Sequence, residues 1–152
     1  MPIDVEVQGL IETQRKLEQV VADIHGTPIV NAMKDATLLV QRGAKINAPV
    51  DTGRLRASIT PEIRTMGNEV QGVVGSNVAY APFMELGTRP HWPPIAALEV
   101  WAQRHGTTAY LVARAIARKG TKAREFLKKA FEDAKDRIYA RFEKAVQEVV
   151  NK

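Results

Sequence analysis

Apolar and polar residues alternate with a period of two in some stretches of this chain and recur at helical spacing in others. Residues 3–9 alternate, which predicts a short N-terminal strand. From residue 10 the apolar residues recur every three or four positions, which predicts a first helix that ends at Gly26. Thr27 before Pro28 is typical of a helix start, so we expect a second helix there, with Thr27 as its N-cap.

The second helix is expected to run to about Asn47, because Pro49 forces the residue before it away from helical geometry. The apolar residues along one face of this helix predict its buried stripe: Ile29, Met33, Ala36, Val40 and Ala44. Residues 58–76 return to alternation and predict a β-hairpin, with its turn at residues 67–68.

The second half of the chain is predicted to be mostly helical. A short apolar segment at 77–88 leads into a proline-rich loop at 89–94, and helical spacing returns at 95–105 and 108–119. Residues 124–150 are predicted to form one long helix. Its apolar stripe is Phe126, Ala130, Ala134, Ile138, Phe142, Ala145 and Val149.

These elements make up an α+β fold. We expect a small antiparallel sheet, made of the hairpin and the N-terminal strand, to pack against the long helices, because so few strands cannot bury themselves. A chain of 152 residues fits one such unit, so residues 1–152 are predicted to be a single domain.

The composition narrows the classes of function. The chain has no cysteine, which excludes structural disulfides and thiolate metal sites. No apolar run reaches the ~18 residues of a membrane span and no signal peptide opens the chain, so no membrane partner is expected. The formal net charge of +5 is compatible with nucleic acid or with an acidic protein surface.

Asp51, Thr52 and Gly53 form the triplet with which an aspartic protease presents its catalytic carboxylate, and a chain of this size is long enough for half of a dimeric enzyme. Such a site shares one proton between two carboxylates. Arg54 and Arg56 follow at once and favour a fully ionised carboxylate, which argues against the protease. The alternative is structural: Asp51 or Thr52 caps the turn that follows, and Gly53 lets the chain turn tightly.

No other catalytic or metal-binding arrangement emerges from the sequence. His25, His91 and His105 lack the spacing of metal ligands, so neither a metal nor another cofactor is expected. Ser58 and Ser76 lie outside a nucleophile elbow, and the glycines form no phosphate loop. We therefore expect no enzymatic activity.

Residues 114–124 are a candidate contact for phosphates, which would make the chain a small basic nucleic-acid-binding protein. The cations in this segment are Arg114, Arg118, Lys119, Lys122 and Arg124. The alternative is a solvated helix end, where cations are favoured. Acidic residues return at 132–136, and the aromatic residues do not interleave with the cations as base stacking would require.

Three ordered sequence blocks carry a resemblance to a known family. The first is APVDTGRLRASI at residues 48–59, the second is Y-A-x-x-x-E-x-G-T at 80–88, and the third is G-T-x-x-R-x-F-L at 120–127. Their order resembles the tail-completion, or head–tail joining, proteins of long-tailed bacteriophages, also described as neck or minor tail proteins. In that family a proline usually precedes the phenylalanine of the third block, where this chain has Glu125. Residues 90–119 are similar to a helical insertion carried by some relatives.

The resemblance implies a structural virion protein without catalytic activity, located at the head–tail junction after assembly in the host cytoplasm. Its implied partners are further copies of itself in a sixfold ring, the head connector, and the tail-tube or tail-terminator proteins. DNA that passes through the lumen of such a ring would tolerate a modest positive charge. The residues that match the first two blocks are then structural: Pro49, Asp51, Thr52, Gly53, Leu55, Tyr80, Glu85, Gly87 and Thr88.

A ring needs contacts between its subunits. The segment from Val78 to Trp92 is apolar and then proline-rich, and it is the candidate for these contacts. Arginine adds polar pairing, because its guanidinium suits bidentate contacts across an interface. The side chains predicted to contact partners are Arg54, Arg56, Phe83, Arg89 and Trp92.

Overall fold

The computed structural model describes residues 14–16, 18–19, 26–66 and 69–151. The predicted N-terminal strand, most of the first predicted helix and the turn of the hairpin lie outside the described residues. The described residues before Gly26, which belong to the first predicted helix, are helical.

The described elements follow one another as an α+β chain. In order they are α1 (Thr27–Asn47), α2 (Arg54–Ser58), β1 (Ile59–Met66), β2 (Glu69–Ser76), α3 (Ala81–Leu86), a 3-10 helix (Ile95–Leu98), α4 (Glu99–Arg104), α5 (Ala109–Lys119) and α6 (Phe126–Val150). β1 and β2 form a two-stranded antiparallel sheet. The predicted fold class is therefore confirmed, while the third predicted strand falls outside the described residues.

The N-cap of α1 is Gly26, so the prediction of Thr27 was wrong by one residue. Gly26 has extended backbone (φ −83°, ψ −172°), and its carbonyl accepts the N–H of Val30 at 3.2 Å. Pro28 lies in the first turn, where its missing N–H removes no helical hydrogen bond. At the other end Ala48 takes extended geometry (φ −64°, ψ 131°), as the proline after it requires.

Helices α1 and α6 pack along each other and form the centre of the core. Gly43 of α1 lies against Ala130 of α6, where an added Cβ would meet the alanine Cβ at 3.1 Å, so small residues set the close approach. Phe126 and Ile59 are fully buried in the same cluster. Both predicted stripes are confirmed, with their other members half-buried. The buried members are Ala36, Val40, Ala44, Phe126, Ala130, Ala134, Ala145 and Val149.

The hairpin packs across α1. β1 pairs with β2 along its whole length, with Ile59 opposite Ser76. Gly72 of β2 makes the close approach to α1 possible, because a Cβ there would lie 2.5 Å from Cγ2 of Thr37. Gln41 of α1 donates from Nε2 to the Ile59 carbonyl at 2.8 Å and fixes the start of the hairpin on the helix.

Residues 90–119, the segment predicted to be a helical insertion, contain three helices. The 3-10 helix, α4 and α5 pack against one another. The Thr108 hydroxyl caps α5 by accepting the Leu111 N–H at 3.4 Å. The rings of Trp92 and Tyr110 meet edge to face with their centroids 6.0 Å apart, which ties the proline-rich loop to α5.

Candidate functional site

Two Gly-Thr dipeptides, one in the second sequence block and one in the third, bind each other. The Thr88 N–H donates to the Thr121 carbonyl at 3.1 Å, and the Thr121 N–H donates to the Thr88 carbonyl at 3.2 Å. Their hydroxyl groups lie 3.0 Å apart, within hydrogen-bond distance. We call Gly87, Thr88, Gly120 and Thr121 the Gly-Thr clasp. It joins the two ends of residues 90–119, the predicted insertion.

Geometry requires both glycines of the clasp. Gly87 and Gly120 have φ values of 72° and 71°, in the left-handed region that favours glycine. A Cβ at Gly87 would lie 2.5 Å from the Thr121 carbonyl oxygen, and a Cβ at Gly120 would overlap the Thr88 carbonyl oxygen. The two backbones therefore approach too closely for a larger residue at either position.

Glu85 closes the N-terminus of α6. Its Oε2 accepts the Leu127 N–H at 2.9 Å, its Oε1 accepts the Lys128 N–H at 3.0 Å, and its carbonyl accepts the Glu125 N–H at 3.1 Å. A helix cannot satisfy its first N–H groups internally, and its dipole favours negative charge at this end. The second sequence block thus caps the long helix that begins in the third block.

The backbone conformation at Glu125 explains why this chain lacks the proline expected from the resemblance. It is the N-cap of α6 and has left-handed backbone (φ 50°, ψ 39°), the one such residue other than glycine in the described part of the chain. The proline ring holds φ near −65°. The proline expected here from the resemblance therefore does not fit the turn that this chain makes.

Asp51 contacts the insertion instead of its sequence neighbours. Its Oδ1 accepts a hydrogen bond from Nη1 of Arg104 at 2.9 Å. Arg54 and Arg56, the cations expected beside it, form no ion pair with any residue that the structure describes. A protease dyad needs a second carboxylate in a dry loop, whereas Asp51 is exposed and faces a guanidinium. This geometry does not fit the protease alternative, and Asp51 does not cap α2.

The other residues of the first block lie at the turn that joins α1 to α2. Gly53 is the N-cap of α2 with φ of 80°, and the Thr52 hydroxyl lies 3.5 Å from the backbone nitrogen two residues on. Leu55 is buried in the core and Pro49 is half-buried. In the second block, Tyr80 is the N-cap of α3, and its side chain is 40% exposed.

The five side chains predicted to contact partners are exposed. Phe83 is 58% exposed and Trp92 is 53% exposed, which is high for aromatic residues. Arg89 and Arg54 are exposed on loops or helix ends, and Arg56 lines an open groove along α1. Their placement leaves all five available to a partner, and the contacts themselves remain a prediction.

The described residues contain no group of three or more histidine, aspartate or glutamate side chains that could hold a metal ion. In the same residues every buried side-chain nitrogen or oxygen has a hydrogen-bond partner. None of the described helices has both the length and the apolar character needed to cross a membrane.

A family model described as "Bacteriophage HK97-gp10, putative tail-component" matches residues 11–87, which is half of the chain. This protein belongs to the HK97-gp10-like family. No curated protein and no solved structure gives a significant match. The expected resemblance to phage tail-completion proteins is confirmed at the level of the family. Membership supports a structural role in a phage tail and a location in the virion.

In this HK97-gp10-like protein the matched segment contains the first block, the hairpin and α3, and it ends at Gly87 inside the clasp. The repeated Gly-Thr dipeptide is the sequence signal from which the clasp could have been found. Sequence reasoning missed Arg104, and it placed Glu85 in a motif without its capping role. Their partners lie 53 and 42 residues away along the chain, beyond the reach of local patterns.

Proposed function

We propose that this protein is a ring-forming adaptor at the head–tail junction of a long-tailed phage. Copies of the chain would form a ring, with sixfold symmetry as the family resemblance implies. One ring face would bind the head connector and the other the tail-tube or tail-terminator protein. The chain contributes shape and binding surface, and no step of catalysis is needed.

The observation that carries the proposal is the amount of apolar side chain left exposed on α3 and on the clasped insertion. Large exposed apolar surfaces mark interaction sites on soluble proteins. The side chains concerned are Phe83 (58% exposed), Leu86 (77%), Trp92 (53%), Val100 (62%), Tyr110 (55%) and Leu111 (54%). The Gly-Thr clasp fixes the base of the insertion, so the four side chains that lie on it belong to a segment anchored at both ends.

Depletion of the chain from phage-producing cells tests the proposal. The expected result is an accumulation of DNA-filled heads and separate tails, seen by electron microscopy, with loss of infectious particles. Complementation with Val100→Ser and Leu111→Ser together should restore joining poorly, because both side chains lie on the insertion. Met66→Ser, at a residue 60% exposed on the hairpin, is the matched control and should restore joining fully. Normal joining of heads to tails without the chain would end the proposal.

Nucleic-acid binding is a second candidate function, supported by the basic residues at 114–124. All five cations of this segment are exposed, and none of them is in an ion pair with a residue of the described ranges. Binding to phosphates weakens steeply as salt rises. Salt-dependent affinity of the purified chain for duplex DNA, lost in Arg118→Glu with Lys122→Glu, would favour this function. Affinity that is absent at low salt would exclude it.

A further inference from the structure

We propose that neighbouring copies of this chain join by docking a basic groove on α1 of one copy against an acidic stripe on α6 of the next. The inference rests on the proposed ring and names the two surfaces that would close it. The basic groove is lined by Leu38, Gln41, Arg42, Lys45, Ile46 and Arg56. The acidic stripe consists of Glu132, Asp136, Tyr139, Glu143, Val146 and Val150.

The basic groove combines cations with exposed aliphatic side chains around an open volume of about 630 Å³. No acidic residue lines it, and Arg42, Lys45 and Arg56 form no ion pair with the residues that the structure describes. Leu38 is 52% exposed and Ile46 is 71% exposed. Such a surface suits a partner that brings carboxylates together with apolar side chains.

The acidic stripe runs along one exposed face of α6. Its members are spaced alternately four and three residues apart, so helical geometry places them along one face of α6. Glu132, Asp136 and Glu143 are exposed, and in the described part of the chain their carboxylates form no ion pair. Tyr139 is 63% exposed and Val150 is 62% exposed. An exposed face with this spacing matches the seam of a helix–helix contact.

The groove and the stripe lie on opposite sides of the packed α1–α6 pair. With about 3.6 residues per turn, Leu38 lies roughly half a turn around α1 from Val40, which is buried in the cluster that joins the two helices. On α6, Glu132 and Tyr139 of the stripe lie roughly half a turn from Ala130, which is buried in the same cluster. The groove of one copy therefore cannot meet the stripe of that same copy.

A second copy of the chain supplies carboxylates for the groove and cations for the stripe. The contact is head to tail, because one patch binds a different patch, and repetition of such a contact closes a ring when the rotation between copies permits. The cations of the groove would face the carboxylates of the stripe, while Leu38 and Ile46 would meet Tyr139. DNA would complement the groove alone and would leave the stripe without a role, so charge complementarity favours a second copy.

Charge reversal tests the docking in phage-producing cells that depend on the supplied chain. The groove pair is Arg42→Glu with Lys45→Glu, and the stripe pair is Asp136→Lys with Glu143→Lys. Each pair places like charges across the contact, so we expect the titre of infectious particles to fall roughly tenfold or more. All four substitutions in one chain, or co-expression of the two variants, should restore most of the titre, because the reversed groove then meets the reversed stripe.

A matched control keeps the same change of charge away from both surfaces. Arg137→Glu with Lys144→Glu alters two exposed cations on α6 outside the stripe and should leave the titre near that of the natural chain. Restoration by the fourfold variant also excludes misfolding as the cause of the loss, because a misfolded chain is not rescued by further charge changes.

Disulfide cross-linking tests the contact directly, because the chain has no cysteine of its own. Ile46→Cys with Tyr139→Cys in one chain should give a ladder of linked multimers when purified particles are oxidised. Either substitution alone should give monomers, because a head-to-tail contact does not bring identical positions together. Met66→Cys with Asn77→Cys, at exposed positions outside both surfaces, is the control pair and should also give monomers.

The outcomes separate this docking from the junction role. If particles contain the chain but the cysteine pair gives no ladder, or neither reversed pair lowers the titre, the docking is overturned and the junction role stands.

If particles lack the chain, the junction role fails, and the same variants are then measured on purified protein by sedimentation. Self-association that each reversed pair abolishes and the fourfold variant restores supports the docking, and a strictly monomeric chain overturns it. If the groove-pair substitutions abolish DNA binding, and adding the stripe-pair substitutions does not restore the titre, the docking is also overturned.

Discussion

The carboxylate of Glu85 accepts the backbone N–H of Leu127 at 2.9 Å, and so a residue of the short helix α3 caps a long helix that begins 41 residues further along the chain. The same carboxylate accepts the Lys128 N–H at 3.0 Å. Two motifs that are far apart in sequence are thereby one structural unit, together with the Gly-Thr clasp beside them.

Replacement of Glu85 should destabilise the fold through α6. Glu85→Ala removes both bonds to the first turn and should lower the free energy of unfolding by about 1–2 kcal/mol. Glu85→Gln keeps one acceptor oxygen and should lower it less. Denaturation in urea measures both values. The control is Asp133→Asn, an exposed acid on α6, which should change stability by under about 0.5 kcal/mol. Equal effects of Glu85→Ala and the control would contradict the capping role.

The Gly-Thr clasp predicts an asymmetry between two glycines of similar backbone. Gly106→Ala and Gly120→Ala both place a side chain at positive φ, 65° and 71° respectively. At Gly106 nothing lies within 4 Å of the new Cβ, so we expect only the left-handed strain, about 1–2 kcal/mol. At Gly120 the Cβ would overlap the Thr88 carbonyl, and the loss should exceed about 3 kcal/mol. Thermal unfolding compares the two, and equal losses would mean that the clasp is looser than described.

Most of the described helices and the hairpin could be predicted from local patterns in the sequence. The stripes of α1 and α6 and the alternation of the hairpin each encode one buried face, so their positions could be predicted before any contact was known. Single residues at element boundaries are harder to predict: Gly26, and not Thr27, is the N-cap of α1, and its carbonyl accepts the Val30 N–H. Thr and Gly are both favoured at an N-cap, and nothing in the sequence separates the two neighbours.

The long-range polar contacts could not be predicted from periodicity. Asp51 is followed by two arginines in sequence, yet its carboxylate pairs with Arg104 in the insertion. The pairing depends on where the insertion folds back, which no local pattern encodes. The capping by Glu85 has the same origin. Both contacts join segments whose proximity is a consequence of the tertiary fold, so they emerge only once the helices have been placed.

Glu125 predicts opposite effects for two substitutions. Glu125→Gly relieves the left-handed backbone at φ 50° and should stabilise the fold by about 1 kcal/mol, less the small contribution of the exposed pair with Lys128. Glu125→Pro introduces the proline expected from the resemblance but removes the N–H that donates to the Glu85 carbonyl at 3.1 Å. Its fixed φ also conflicts with the turn, so we expect a loss of about 3 kcal/mol or more. A stable proline variant with unchanged helix content would show that this turn tolerates another conformation.

Asp51 provides the test that separates a structural triplet from a catalytic one. The Asp51–Arg104 pair is exposed, with 36% and 42% of the two side chains accessible, so its energy is small. Asp51→Asn and Arg104→Gln should each change the free energy of unfolding by no more than about 1 kcal/mol, and a double-mutant cycle should give a coupling of similar or smaller size. Phage complemented with Asp51→Asn should remain infectious, because the proposed function rests on docking and needs no catalysis at this segment. A complete loss of infectivity in a variant that folds and assembles normally would return the carboxylate to consideration as a catalyst.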